Sequence, residues 1–327
     1  MIDPQVIGFI LLGASAGLCL VAALGLIIYV YFRQRTAQWH YNKAIDSYHA
    51  NRMPQALKLL NKTIAMDPSF TDAYYNRGLI YLQQGETETA RTEFEQVLAL
   101  RPDDLAALYN LALLAFDEKD YPKAIELLEK AVEADTTDGD CYHLMGLAFE
   151  AQSANAEALE AYRQATECQA ENVNVLLLQG KLEDRMTLLD EAVDTYRRVL
   201  ELDPNNLDAN YDISISLAKK GDWEKTIHYS QRAIEIDEHY SKAYNQLGLA
   251  YYCTEQLEQA ITNYQKAIEI DPDYANAYNN LAYAYQKSEK YPEAIEMFEA
   301  YLKQNIDPEE ISGVREHIEV LQKKLLE

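Results

Sequence analysis

Apolar residues recur at steps of three and four along almost the whole chain, and 241–274 shows the pattern most clearly. Tyr244, Leu247, Gly248 and Tyr251 share one face of a predicted helix, and Ala260, Ile261, Tyr264, Ala267 and Ile268 share one face of a second. Thr254, Glu255 and Gln256 form a polar break between them. Pro272 ends the second helix, because the residue before a proline is pushed out of the α region. Gly248, Ala260 and Ala267 sit where the two helices must meet and let the backbones approach, which predicts a helical hairpin. A lone hairpin leaves apolar surface in water and needs neighbours on both sides.

The same register returns every 34 residues. Asp67, Arg101, Asp135, Gln169, Asp203, Asp237 and Asp271 stand at this spacing, and four of them are followed by Pro68, Pro102, Pro204 and Pro272. Eight units without insertion are predicted: 37–70, 71–104, 105–138, 139–172, 173–206, 207–240, 241–274 and 275–308. With an aromatic at position 4, Leu-Gly at 7 and 8, Tyr at 11, Ala at 20 and 27, an aromatic at 24 and Pro at 32, the seventh unit resembles the tetratricopeptide repeat (TPR) family. It meets that pattern as Tyr244, Leu247, Gly248, Tyr251, Ala260, Tyr264, Ala267 and Pro272. The resemblance implies an all-α fold, a right-handed superhelical solenoid of helix-turn-helix repeats whose length sets the repeat number. Units five and six depart from the pattern. Glu183 takes position 11 of the fifth, and Asn210, Ser214, Thr226 and Ser230 replace packing residues in the sixth, so weaker stacking is expected at their junction.

Two flanking segments break the period. No charge occurs over 5–32, a run exceeding the roughly 20 residues a bilayer-spanning helix needs, so a single transmembrane anchor is predicted within 1–36. Arg33, Arg35 and the nearby Tyr29, Tyr31, Phe32 and Trp39 place that end at the cytosolic interface, with the N-terminus outside and the repeats cytoplasmic. A cleaved signal peptide fits less well, since only Met1, Ile2, Asp3 and Pro4 precede the run, and Leu18 spoils Cys19 as a lipidation site. Gly13 and Gly17 have a helix-pairing spacing, which the ordinary frequency of glycine in membrane helices also explains. Neither Gly nor Pro occurs between Leu26 and Met53, so the anchor is expected to continue into the first repeat helix. At the other end, Ile311, Val314, Ile318, Leu321 and Leu325 predict an amphipathic capping helix over 309–327.

Composition narrows the function. A net charge of −24 without a basic stripe excludes nucleic acid as an expected partner. Cys19, Cys141, Cys168 and Cys253 show no metal spacing, and the six histidines are scattered, so neither metal nor cofactor is expected. Phosphate-loop, dinucleotide, HExxH and GxSxG motifs are all missing, and no enzyme activity is expected.

The resemblance places the binding surface in a concave groove lined by positions 2, 5, 6, 9, 12 and 13 of each first helix. A carboxylate clamp for a chaperone's C-terminus needs Lys and Arg at fixed places there. Lys242 at position 2 is followed by Gln246 at position 6, so that partner is disfavoured. Positions 5 and 6 instead hold Tyr41 and Asn42, Tyr75 and Asn76, Tyr109 and Asn110, and the polar track resumes at Gln246, Asn279 and Asn280. Carboxamides carry donors and acceptors and can hold the main chain of an extended peptide, while tyrosines add apolar area and a hydroxyl. Leu144, Leu147 and Leu178 interrupt the track with a patch fit for one hydrophobic anchor. The expected function is a membrane-anchored scaffold that binds a protein or peptide partner, with an envelope-biogenesis protein on the other side of the membrane, or an accessory subunit of a membrane enzyme, as the alternatives.

Overall fold

A computed structural model describes residues 4–304 and 308–326, with side chains described over 24–304 and 311–326. Seventeen helices and no strand occur among the described residues, and they follow one another as an all-helical TPR solenoid. The chain divides into two units, Met1–Ser153 and Ala154–Glu327.

The first unit contains α1 Pro4–His49, α2 Met53–Met66, α3 Thr71–Gln83, α4 Thr87–Leu100, α5 Leu105–Asp117, α6 Tyr121–Ala134 and α7 Gly139–Ala151. Ala56, Ala90 and Ala124 are fully buried where a second helix crosses its first, so the helix axes lie close. Size is matched across that crossing. Gly78 on α3 faces Phe94 on α4, and a Cβ there would stand 2.8 Å from the ring.

The second unit contains α8 Asn155–Cys168, α9 Val173–Arg185, α10 Leu189–Leu202, α11 Leu207–Lys219, α12 Trp223–Ile236, α13 Ser241–Cys253, α14 Leu257–Ile270, α15 Ala275–Lys287, α16 Tyr291–Tyr301 and α17 Pro308–Lys324. Gly180 and Gly248 repeat the match, each against a tyrosine, Tyr196 and Tyr264, that is 1% exposed. Ile318 and Leu321 of α17 pack with Ala282, Ala294 and Phe298 and cover the apolar end of the last hairpin.

One backbone device ends every first helix. Asn51, Gly85, Lys119, Ser153, Thr187, Gly221, Glu255 and Glu289 all have φ between 57° and 78°, and they stand 34 residues apart. A left-handed residue just past a helix turns the chain and lets the next N–H reach back to the last turn. Glu86 N–H donates to the Tyr81 carbonyl at 2.9 Å, and Leu188 N–H to that of Glu183 at 2.9 Å. Helix starts vary more. Asp104, Asp138, Asn172 and Asn206 cap α5, α7, α9 and α11 through their side chains, whereas Phe70, before α3, stacks on Tyr41 with ring centroids 4.9 Å apart.

The transmembrane part of the expected fold class is corrected. Among the described residues no helix is long and apolar enough to cross a membrane. Most of the expected span over 5–32, with Gly13, Gly17 and Cys19, falls on residues whose side chains lie outside those described. Past 32, α1 continues unbroken as the first helix of a packed hairpin, with Ala37 and Ala44 buried and Arg33 donating to the Ala65 carbonyl at 3.0 Å. The expected localisation, single-pass membrane with cytoplasmic repeats, falls with the span on which it rested.

Candidate functional site

Helices α1, α3 and α5 each present a tyrosine followed by an asparagine, one repeat apart, so a side chain on one helix meets its counterpart on the next. Asn76 Nδ2 donates to the Tyr41 hydroxyl at 3.0 Å and to the Asp72 carbonyl at 2.8 Å. Asn110 Nδ2 donates to the Tyr75 hydroxyl at 3.3 Å and to the Ala106 carbonyl at 2.7 Å. Both N–H hydrogens of these amides are thereby committed, and what each can offer outward is its carbonyl oxygen. Asn42 is arranged the other way. Its Oδ1 accepts from Gln38 at 2.9 Å, and its two N–H hydrogens remain to donate.

The tyrosines are half-buried. Burial, followed by the Asp72 carboxylate, raises the Tyr41 phenol above its ordinary value, and Asn76 pulls slightly the other way. Tyr109 is raised chiefly by burial, then by Asp140. Both stay protonated at neutral pH. An uncharged hydroxyl that already accepts from Asn76 can still donate, so the Tyr41 row offers donors beside the acceptors of Asn76 and Asn110. On α7, Leu144 is buried and Leu147 half-buried.

In the second unit the track takes another form. Leu178 is half-buried on α9, and Gln246 is buried, its Nε2 donating to the Ser214 carbonyl at 3.3 Å. Asn280 Nδ2 donates to Asn245 Oδ1 at 2.9 Å, and Asn245 Nδ2 to the Tyr274 hydroxyl at 3.4 Å. Asn245 is therefore the link that sequence reasoning missed, although it occupies position 5 like the tyrosines before it. Asn279 has a buried Oδ1 without a hydrogen-bond partner and lines a cavity of about 400 Å³ with Tyr283, Tyr301, Gly313, Val314 and His317. The structure thus joins Tyr41 to Asn76, Tyr75 to Asn110, and Asn280 to Asn245. Leu144 and Leu147 belong to the first unit and Leu178 to the second.

A charged cavity of about 300 Å³ lies between α9 and α11, lined by Lys181, Asp184, Arg185, Tyr196, Asp212 and Ile215. Five of these stand at positions 6, 9, 12 and 13 of their repeats, the same first-helix positions that the resemblance assigns to the groove. Burial pushes the Asp212 carboxyl up to about 6, against the opposing pull of Lys181. Among the described residues no group of three or more His, Cys, Asp or Glu is placed to hold a metal ion.

Tetratricopeptide repeat models match residues 75–139 and 177–243, 46–85 and 253–289, and 277–311. No curated protein matches the chain. Among solved structures, the C-terminal part of a TPR repeat-containing protein from Cytophaga hutchinsonii is 18% identical, with a TM-score of 0.61 over 74% of this chain and 99% of that one. YrrB, described as a TPR protein with an unusual peptide-binding site, is 22% identical, with a TM-score of 0.53 over 60% of this chain and 97% of that one. MamA of Desulfovibrio magneticus RS-1 is 24% identical, with a TM-score of 0.47 over 51% and 95%. At these identities the likeness to the first two is one of fold.

Proposed function

Because the chain belongs to the tetratricopeptide repeat family, we propose that it is a non-catalytic scaffold whose first-helix faces hold a protein partner, taken as an extended segment. The observation that carries this reading is the row of Asn-to-Tyr hydrogen bonds on α1, α3 and α5. Those bonds fix each amide in one orientation before any ligand arrives, which lowers the entropy lost on binding. Asn42 donors, tyrosine hydroxyls and the Asn76 and Asn110 carbonyls then face a peptide main chain with both kinds of group it needs. YrrB, a TPR protein whose description names a peptide-binding site, shares the fold and supports the same reading. Such a surface suits assembly of a protein complex, in which one partner is held while another joins.

The test begins with cross-linking and mass spectrometry on the full-length chain to identify a partner. Replacing Asn42, Asn76 and Asn110 together with Ala is then expected to weaken that partner's binding by at least about tenfold, since each lost hydrogen bond is worth ~1 kcal/mol. Circular dichroism of the variant should remain that of a helical solenoid. Wild-type affinity in the triple variant would move the site elsewhere.

A further inference from the structure

Between α9 and α11 the face that carries amides elsewhere carries charges, and their pairing is incomplete. Asp212 Oδ2 is buried and has no hydrogen-bond partner. Lys181 Nζ stands 3.6 Å from it, beyond hydrogen-bond reach, and the same ammonium is 3.8 Å from Asp208 Oδ2. One ammonium is shared by two carboxylates and bonds properly to neither. Asp184, in the same wall, is already served by the Ser216 hydroxyl at 2.8 Å and by the Lys219 ammonium. What the cavity lacks is a donor directed at Asp212.

Resting on the reading of the first-helix face as a peptide-binding surface, we propose that the cavity lined by Lys181, Asp184, Arg185, Tyr196, Asp212 and Ile215 receives the basic side chain, Arg or Lys, of the bound partner. A guanidinium offers five N–H donors in a planar fork, enough to serve Asp212 and Asp208 together, and the Tyr196 and Ile215 side chains give its stem an apolar wall. A volume of about 300 Å³ accommodates one such side chain. Lys181 is about half exposed, 47%, and its flexible stem can swing aside when a better-placed cation arrives. An anionic side chain fits poorly. It would approach Asp184, Asp208 and Asp212 within a chain of net charge −24, and it would leave the Asp212 oxygen still without a donor. Burial, the largest cause, holds the Asp212 carboxyl up to about 6 against the opposing pull of Lys181, with Asp208 and Asp184 adding to the rise.

The experiment uses the immobilised full-length chain at pH 7.5 and synthetic peptide pools with degenerate flanks and one fixed central residue: Arg, Lys, citrulline, norleucine or Glu. Arg and Lys pools are expected to be retained about tenfold over citrulline and norleucine. Asp212→Asn should abolish that preference while keeping the retention of the norleucine pool. Lys181→Met, which removes the resident competitor, should enlarge it. Equal retention of all pools by the wild type, an Arg preference untouched in Asp212→Asn, or a preference for Glu would each overturn the proposal while leaving the peptide-binding reading standing. Retention of no pool at all would overturn both.

Discussion

Thr187 is the residue that most plainly trades local comfort for the fold. A β-branched side chain at φ 61° is strained by roughly 1–2 kcal/mol, yet the backbone adopts this value because the Leu188 N–H must reach the Glu183 carbonyl. Thr187→Gly removes the strain, and glycine's extra freedom in the unfolded chain gives part of it back, so a net stabilisation of about 0.5–1 kcal/mol is expected from urea denaturation. Asp212 works against stability in a different way. Its carboxyl rises from 3.8 to about 6, so the folded protein holds that proton more tightly than the unfolded chain does. Stability from this group therefore grows as pH falls through 6 toward 4, and at pH 7.5 the buried charge costs on the order of 2–3 kcal/mol. Asp212→Asn should be more stable than wild type at pH 7.5, and the gap should close by pH 4. A gap that widens on acidification would refute the assignment. Neither feature was legible in the sequence. Six of the eight left-handed positions are not glycine, and nothing in the one-letter pattern separates a carboxylate with a partner from one without.

At the scale of the element, the hairpin was readable because its signals are local. Alanine at the crossing, glycine opposite an aromatic ring and proline after the second helix each follow from chain geometry and volume. Gly248 shows the volume rule. A Cβ there would lie 2.7 Å from two carbons of the Tyr264 ring, which is 1% exposed and has nowhere to go. Gly248→Ala gains ~1 kcal/mol of helix propensity but overpacks the crossing by about 1–3 kcal/mol, and the net expectation is a loss near 1 kcal/mol, with faster amide exchange in α13 and α14. Repeats five and six are the instructive departure. Sequence reading treated Glu183 and its polar neighbours as packing losses, because deletion of an apolar contact is visible in a sequence and formation of a hydrogen bond is not. Glu183, 1% exposed, accepts from Gln179 at 2.8 Å and Thr195 at 2.7 Å, and Asn210 donates to the Asn206 carbonyl at 2.8 Å. A polar network occupies the place of an apolar one. The amide row was likewise half legible: Tyr-Asn pairs showed where polar groups stand, but which atoms they have left to offer depends on Tyr41 and Asp72 lying within reach of Asn76.

For the whole molecule, charge and apolar length set the expectations. Ion pairs such as Lys123 with Glu126 and Lys130 with Glu126 are exposed and each contributes little, whereas an excess of 24 negative charges repels over distances that dilute buffer does not screen. Raising ionic strength from about 10 mM to 300 mM shortens the Debye length several-fold, so the melting temperature should rise by a few degrees in calorimetry. A falling melting temperature would mean that the exposed pairs outweigh the repulsion. The membrane span is the whole-molecule reading that is corrected: an uncharged run over 5–32 predicts it, whereas among the described residues no helix is long and apolar enough to cross a membrane. Arg33 and Ala37 already belong to the packing of α1 against α2.

The left-handed residue at each hairpin apex has an outcome for how such a chain can be recombined. Gly, Asn, Ser, Thr, Lys and Glu all occupy the site and all give the same bend, so the bend is imposed by the flanking helices and not by the residue itself. A splice made at one apex and resumed at another, a multiple of 34 residues away, therefore preserves the phase of the flanking helices.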